Sequence, residues 1–508
     1  MAHDIDVLIA GAGPTGLAAA LALTRHGVRV RVVEQNAAPS RHSKALVIQA
    51  RTMEVFHALG VAEDVLAKTQ PMRGVQPVLE GKQLPFVTFD GLEGPYTRPL
   101  MLRQSQTEQL LAARLETLGV CVEWGVGLRD FEADEGGVRV TLSNGESLGA
   151  AYLIGCDGAH SLVRKQLGVD FEGSTYDNDF IQVDAKMRWP LAEDTGYAFI
   201  REEGALVCLP LGEGIFRTIY IRQERPEDAP EEPELREFQA VFDELMPGEV
   251  EFGEVEWIIR FRLHERLASR FRVGRVFLAG DAAHIHTPAG GQGMNTGIQD
   301  AFNLGWKLGL AVRGAAGERL LESYHDERHP IAADVLRFTD LTFKTALGSN
   351  ALVRKLRPLI LPFVLGNRYM RGNAARTVSQ LDVNVRRSPI VDDRRFFATG
   401  LHAGDRAPDA SFAHDGASSR VFDLLRDDPR HLVFAHYAQG HRLAALERGL
   451  DPSIARVIVA NEGEELEARY HLGDGPAIWV VRPDGYIGYR QSGDEPEPVL
   501  EWFQRTLG

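Results

Sequence analysis

Three short segments carry residue types that could hold a ligand. In the first, Gly11-Ala12-Gly13-Pro14-Thr15-Gly16 follows the short, mostly apolar run Ile5–Ala10 and precedes an alanine- and leucine-rich stretch to His26. A second run, 28–33, alternates valine with arginine and ends on Glu34. The order reads as strand, tight turn, helix, strand, carboxylate. Gly11 permits the turn, Gly13 lets a pyrophosphate approach the backbone, and Gly16 lets helix and strand pack closely. The helix start offers phosphates its unpaired N–H groups and positive dipole end. Glu34 stands where a carboxylate accepts hydrogen bonds from an adenosine ribose. The pattern predicts a dinucleotide site without distinguishing FAD from NAD.

The second segment is Asp157-Gly158, at the end of the apolar run 152–156. Open α/β sheets place ligand contacts there; the competing reading is an aspartate capping the next helix. The third begins with an apolar run ending on Gly280-Asp281. It continues through His284, His286, Pro288, Gly290 and Gly291 to Gly293-Met294-Asn295 and a long helix. A glycine-rich loop feeding a helix N-terminus stabilises an anion. A flavin needs such a device at its N1–C2=O edge, where negative charge collects on reduction. His284 and His286 have metal-ligand spacing but no third ligand in the segment, so no metal is expected. Lys44 and Arg51 would flank the phosphates if their segment folds back onto the first glycine turn; equally, they are two solvated cations.

Elements must bring these segments together. At 508 residues the chain is expected to form two or three domains. The net charge of −15 argues against nucleic acid and anionic membranes as partners. The N-terminus lacks the basic region of a signal peptide, and no apolar run approaches the roughly 18 residues of a membrane span. Cys121, Cys156 and Cys208 are scattered and form no CxxC pair, which fits free thiols in a reducing cytoplasm.

Residues 1–175 read as the first part of a nucleotide domain. Helices are expected at Ala50–Leu59, ending at Gly60, and at 107–118 after Gln104. A strand pair is expected at 120–126 and 138–142, with hairpin chemistry at Ser143-Asn144-Gly145; residues 61–100 show no clear pattern. In 181–189 the odd positions are apolar and Gln182, Asp184, Lys186 and Arg188 fill the even ones, which predicts a strand with one wet face. Residues 176–265 therefore read as an inserted antiparallel sheet. The nucleotide domain resumes over 266–390, where the Pro-interrupted apolar run 358–365 reads as interdomain packing. Residues 386–408 read as a linker. The tail, 404–508, reads as a small α/β unit with strands at 432–436, 456–460, 477–481 and 486–490 and a final helix at 499–507.

Together the three motifs resemble the single-component FAD-dependent aromatic hydroxylases (class A flavoprotein monooxygenases), several of which act on phenols, phenylpropionates or aromatic polyketides. The resemblance covers about residues 1–390 and is strongest from Gly-Asp-Ala-Ala-His through Gly-Met-Asn-Thr-Gly-Ile-Gln-Asp. The tail resembles the thioredoxin-like C-terminal domain of some members, but holds no cysteine and so does no dithiol chemistry. The implied fold is α/β: a Rossmann-like FAD-binding domain, an inserted antiparallel-sheet substrate domain and a thioredoxin-like α/β tail.

By this resemblance Gly11, Gly13, Pro14, Thr15, Gly16 and Glu34 would hold the ADP half of bound FAD, with Gln104 near the adenine-side phosphates. Asp157 and Gly158 match the motif linked to both FAD and the nicotinamide nucleotide. Gly280 and Asp281 match the segment at the ribityl chain and pyrophosphate. Pro288 would lie near the isoalloxazine, and Gly291, Gly293, Met294 and Asn295 near its N1–O2 edge. Many relatives have arginine where this chain has Lys44; lysine keeps the charge and loses the two-point fork. A second GxGxxG is absent, so NADPH or NADH would bind only transiently.

The resemblance implies an NAD(P)H-consuming monooxygenase whose flavin C4a-hydroperoxide passes oxygen from O2 to a phenolic or polyketide-like ring, bound between sheet and flavin. A phenol reacts faster as phenolate, so a base or hydrogen-bond network would help. Tyr197, Tyr220 and His264 are in or beside the sheet but read as structural or exposed, so the base is left unnamed. A related flavin halogenase or reductase is an alternative; the Trp-x-Trp-x-Ile-Pro segment of halogenases is missing, and Trp257-Ile258-Ile259-Arg260 does not replace it. A flavin-bound sequestering protein is another. The tail could serve interaction or dimerisation, which leaves a homodimer open.

Overall fold

A computed structural model describes residues 3–40, 45–226, 229–287, 289–347, 362, 365–395, 400–414, 416–460, 463–473 and 475–508. The first sheet runs Leu128–Ala133, Val138–Leu142, Ser147–Gly155, Ile5–Ala10, Val30–Glu34, Val122–Trp124, with Val276–Leu278 parallel to the end of Ser147–Gly155. Its central strand is apolar from Val7 to Ala10, where both faces are covered; Val7, Leu8 and Ile9 have no exposed surface. The expected strand pair is corrected here. Val122–Trp124 lies at one edge, parallel to Val30–Glu34, while Val138–Leu142 pairs with Leu128–Ala133 and Ser147–Gly155 on the other side. The Asn144-Gly145 turn joins Val138–Leu142 to Ser147–Gly155. The helix Ala50–Leu59 ends on Gly60 at φ 72°, as its sequence foretells.

The helices Pro14–Arg25 and Gly293–Val312 pack almost backbone to backbone. A Cβ on Gly305 would stand 2.5 Å from the Cβ of Ala22, and one on Gly309 would stand 2.6 Å from that of His26. Small residues at four-residue spacing, Gly297, Ala301, Gly305 and Gly309, make that approach feasible.

The second sheet runs Glu251–Phe261, Asp179–Arg188, Ile215–Arg222, Gly204–Gly212, Gly196–Ile200, Gly74–Leu79, Lys82–Gln83. It recruits Gly74–Leu79 from the stretch that showed no pattern, and this strand runs parallel to Gly196–Ile200. One face packs Ile181, Val183 and Ala185 on Phe238 and Phe242 of the helix Leu235–Leu245. The opposite face is wet only in part: Lys186 and Arg188 are exposed, whereas Gln182 and Asp184 are buried. The reason is coverage by the nucleotide-binding part. Phe180 packs beside Phe343 of the helix Glu318–Leu347, and Leu209 and Leu211 pack with Val47 and Met101.

The tail sheet runs Asp392–Arg394, Ile487–Ser492, Ala477–Val481, His431–His436, Ala455–Val459, with the helix Glu497–Leu507 packed on it through Trp502 and Phe503. Its edge strand comes from the stretch read as linker. A buried polar cluster joins the tail to the rest: Glu327, Lys307 and Asn303 meet Arg482 and Asp484. Of the apolar run 358–365, all but residues 362 and 365 lie outside the described residues. No helix among the described residues is long and apolar enough to cross a membrane.

Candidate functional site

The first glycine turn closes on Glu34, whose carboxylate accepts the Ala12 N–H at 2.9 Å and the Asn36 N–H at 3.0 Å. Gly11 has φ 104°, and a Cβ there would stand 2.3 Å from the Cys156 carbonyl oxygen. A Cβ on Gly16 would stand 2.0 Å from the Gly11 carbonyl oxygen. Both glycines are demanded by the protein's own packing. Gly13 is not: nothing lies within 4 Å of where its Cβ would be. Its bareness leaves open backbone at the start of the helix Pro14–Arg25, the place an anion takes.

The helix Gly293–Val312 begins in the same way, with nothing within 4 Å of a Cβ on Gly293. Thr15 brings the two starts together, because its Oγ1 stands 2.4 Å from where a Cβ would be on either Gly280 or Gly297. Gly280 adopts φ 60°, and Asp281 lies exposed on the single turn Gly280–Ala282.

Asn295 uses its side chain to dock the 45–49 segment: its Oδ1 accepts the Gln49 N–H at 2.9 Å, and its Nδ2 donates to Val47 O and Gly291 O. Gln104 holds the other end, accepting the Ala45 N–H at 3.1 Å and donating to Glu108. A Cβ on Gly291 would press on Val47, 2.8 Å away. Lys44 and Pro288 lie outside the described residues. Neither reading of Arg51 survives: it is buried, pairs with Glu54 at 2.8 Å and donates to the Asp484 carbonyl of the tail.

Asp157 caps. Its carboxylate accepts the Leu162 and Val163 N–H groups at 2.7 and 3.1 Å, and the Ser161 hydroxyl. Gly158 follows at φ 77°. Arg164 then ties this motif to the third, donating to the Ala282 carbonyl at 2.8 Å.

Sequence reasoning missed a polar row on the inner sheet face. Asp184 and Arg217, cross-strand partners, form a two-point pair at 2.8 and 2.7 Å with almost no exposure. Arg217 stands opposite Leu209, which packs on the same apolar cluster as Val47, the residue that faces Gly291. Period-two alternation had marked Asp184, but only tertiary coverage makes it buried. Tyr197 and Tyr220 belong to the other face, packed among the Phe238 and Phe242 cluster. His264 is exposed and bonds Thr175. None of these three reaches the row.

Behind Gly280 lies a buried chain. Asp300 accepts from Arg328 Nε at 2.7 Å and from the Gly280 N–H at 3.2 Å, and stands 2.6 Å from His284 Nε2. His284 Nδ1 stands 2.7 Å from His286 Nε2. Among the described residues no group of three or more His, Cys, Asp or Glu side chains is disposed to hold a metal.

These residues fit FAD. Two open helix starts lie side by side, the Glu34 carboxylate closes the first glycine turn, and two buried polar atoms at the loop, His286 Nδ1 and Thr287 Oγ1, have no partner among the described residues. Residues 4–339 match the family model of an FAD binding domain, and residues 401–508 match that of the aromatic-ring hydroxylase C-terminal domain. The chain is 40% identical to rifampicin monooxygenase of Streptomyces venezuelae over 98% of both chains. It is similar to OxyS anhydrotetracycline hydroxylase from Streptomyces rimosus (TM-score 0.82, 31% identity, 99% of both chains). It is also similar to the Diels-Alderase PyrE3 of pyrroindomycin biosynthesis (TM-score 0.78, 29% identity, 98% of this chain and 99% of that one). The glycine geometry and the two family matches agree across nearly the whole length, and the chain belongs to the FAD-dependent aromatic-ring hydroxylases, the class A flavoprotein monooxygenases.

Proposed function

We propose that the protein hydroxylates a phenolic, polyketide-like aromatic compound, consuming O2 and NADPH or NADH. One observation supports this above others: the buried Asp184–Arg217 pair shares its sheet face with Leu209, which packs on the same apolar cluster as Val47, the residue that faces Gly291. FAD, when bound, supplies the activation of O2. The chain's own part is positioning. Gly13 and Glu34 hold the adenine-dinucleotide half, and Gly280 and Asp281 its middle. The N–H groups at the start of Gly293–Val312 stabilise negative charge at the flavin's pyrimidine edge. Leu209, Leu211 and Val47 give an aromatic ring an apolar seat that excludes water. Arg217, held flat by Asp184, turns an oxygen-bearing ring edge toward it. A lone dinucleotide fingerprint fits a nicotinamide nucleotide that visits and leaves.

The test is NAD(P)H oxidation by purified yellow protein against a panel of phenols and polycyclic polyketides, rifampicin included, with H2O2 followed in parallel. Hydroxylation is supported when one compound accelerates oxidation while H2O2 stays below stoichiometry. The likeness to a Diels-Alderase favours one second reading, ring formation without net oxidation; conversion of a compound with no O2 or NAD(P)H consumed would establish it instead.

A further inference from the structure

The helix Arg368–Val378 ends in a Schellman turn. The Leu381 N–H bonds the Arg376 carbonyl, the Gln380 N–H bonds that of Thr377, and Gln380 itself sits at φ 60°. Glycine is the residue this backbone favours, because an L side chain rarely adopts it. Glutamine stands there instead, 2% exposed, and its carboxamide reaches the helix Gly293–Val312. Gln380 Nε2 donates to Thr296 Oγ1 at 3.0 Å, and Gln380 Oε1 accepts from Gln299 Nε2 at 2.5 Å. The Thr296 hydroxyl in turn donates to Gln292 O at 3.0 Å. Gln292 Nε2 closes the ring of contacts, donating to Val378 O at 2.9 Å.

Gln292, Thr296 and Gln299 are four and three residues apart, so they form one stripe along the helix. That stripe bolts the start of the helix to the turn 378–380. The same turn accepts the Arg51 N–H on Ser379 O at 3.2 Å. No side chain caps the helix start. The aim of its open N–H groups therefore depends on what holds the backbone from outside.

We propose that Gln380 is a positioning residue for the flavin, acting through the first turn of Gly293–Val312. The proposal rests on the reading that this turn meets the flavin's pyrimidine edge. Two-electron reduction leaves negative charge at N1–C2=O, where the oxidised ring carries none. Donors held in place before that charge arrives stabilise it most. A loosened turn therefore costs the reduced flavin more than the oxidised one. A residue that merely braced the fold would weaken both alike. This accounts for a glutamine where the backbone favours glycine: only the longer side chain ties the turn to the helix.

The test is the two-electron midpoint potential of bound FAD in wild type, Gln380→Gly and Gln380→Asn. Glycine suits the backbone, and asparagine, which also tolerates it, carries the amide one carbon short. Both variants should fold with near-native circular dichroism. In both, affinity for reduced relative to oxidised FAD should fall about tenfold, less than the loss of a whole donor causes. For two electrons that is a potential lower by about 30 mV. An unmoved potential in either folded variant overturns the proposal, even if its melting point shifts. Gly293→Ala separates the proposal from its premise. Nothing lies within 4 Å of a Cβ on Gly293, so the methyl should meet the flavin and weaken FAD binding. If Gly293→Ala binds FAD as tightly as wild type, the placement of the flavin fails and the proposal with it. If it binds FAD more weakly while both Gln380 variants keep the wild-type potential, the placement stands and Gln380 is only structural.

Discussion

Glu327 and Arg482, 155 residues apart, form a two-point ion pair at 2.7 and 2.8 Å, and neither side chain touches solvent. Burial alone would raise the Glu327 pKa, but Arg482 and Lys307 outweigh it and hold the carboxyl far below the usual range. Lys307 and Asn303, which also bond Glu327, belong to the helix that begins at Gly293. The tail thus bears on the helix whose first turn forms the candidate site. Removing one partner of a buried pair strands the other charge, at a cost of about 3–5 kcal/mol. Arg482→Met should therefore lower the unfolding midpoint of the holoenzyme and release flavin at lower temperature. An unchanged midpoint would mean the tail is no clamp.

Gly13 and Gly16 should respond differently to the same change. Gly13→Ala meets open space, so the protein should fold, with near-native circular dichroism, and bind FAD at least about tenfold more weakly, since the new methyl stands in the anion's approach. Gly16→Ala drives a methyl into the Gly11 carbonyl and should reduce soluble yield itself. Equal FAD affinity in Gly13→Ala and wild type would remove Gly13 from the site.

Arg217→Met leaves Asp184 buried and unpaired, and a loss of about 3–5 kcal/mol is expected from denaturant unfolding. Replacing both, Asp184→Leu with Arg217→Met, should restore much of that stability. If Arg217 orients the ring, the double variant remains unable to couple NAD(P)H oxidation to hydroxylation, and H2O2 rises to stoichiometry. A stable double variant that couples normally would reduce the pair to a structural role.

Acid should loosen the tail. Burial pushes His431, packed among Trp306, Trp502 and Phe503, down to about 4 from an ordinary 6.5. As pH falls below about 6.5 the unfolded chain takes up a proton that the folded one refuses until about 4, so stability declines across that window. From pH 6.5 to 5 the decline is about 2 kcal/mol for this group. Melting points of wild type and His431→Phe at pH 7.5 and 5 should diverge, the variant losing less on acidification; parallel losses would acquit His431.

What the sequence disclosed and what it hid divide on physical lines. The strand–turn–helix at Gly11–Gly16 is local chemistry, and so are the Gly60 helix stop and the Asn144-Gly145 hairpin. Each was readable from a few neighbouring residues. Strand partnership is not local: 120–126 and 138–142 look like a pair and lie in different parts of one sheet. Gly74–Leu79 carries a proline and weak alternation, so only its neighbour in space identifies it as a strand. Charged residues mislead most. Asp184 read as solvated and Arg51 as either solvated or phosphate-flanking, yet each is buried against an element remote in sequence. The small-residue stripe Gly297, Ala301, Gly305, Gly309 spells out close helix packing only once its partner, the helix Pro14–Arg25, is known.

The parallel pairing of Gly74–Leu79 with Gly196–Ile200 bears on how such enzymes can be recombined. The second sheet is sewn from two stretches that strands of the first sheet separate. A chimaera made with one crossover on each side of residues 176–265 would seat the donor's sheet against the recipient's border strand, a mismatched seam. Transplanting recognition intact calls for a second graft spanning residues 74–88, so breakpoints that respect that seam should yield folded hybrids more often than those that cut across it.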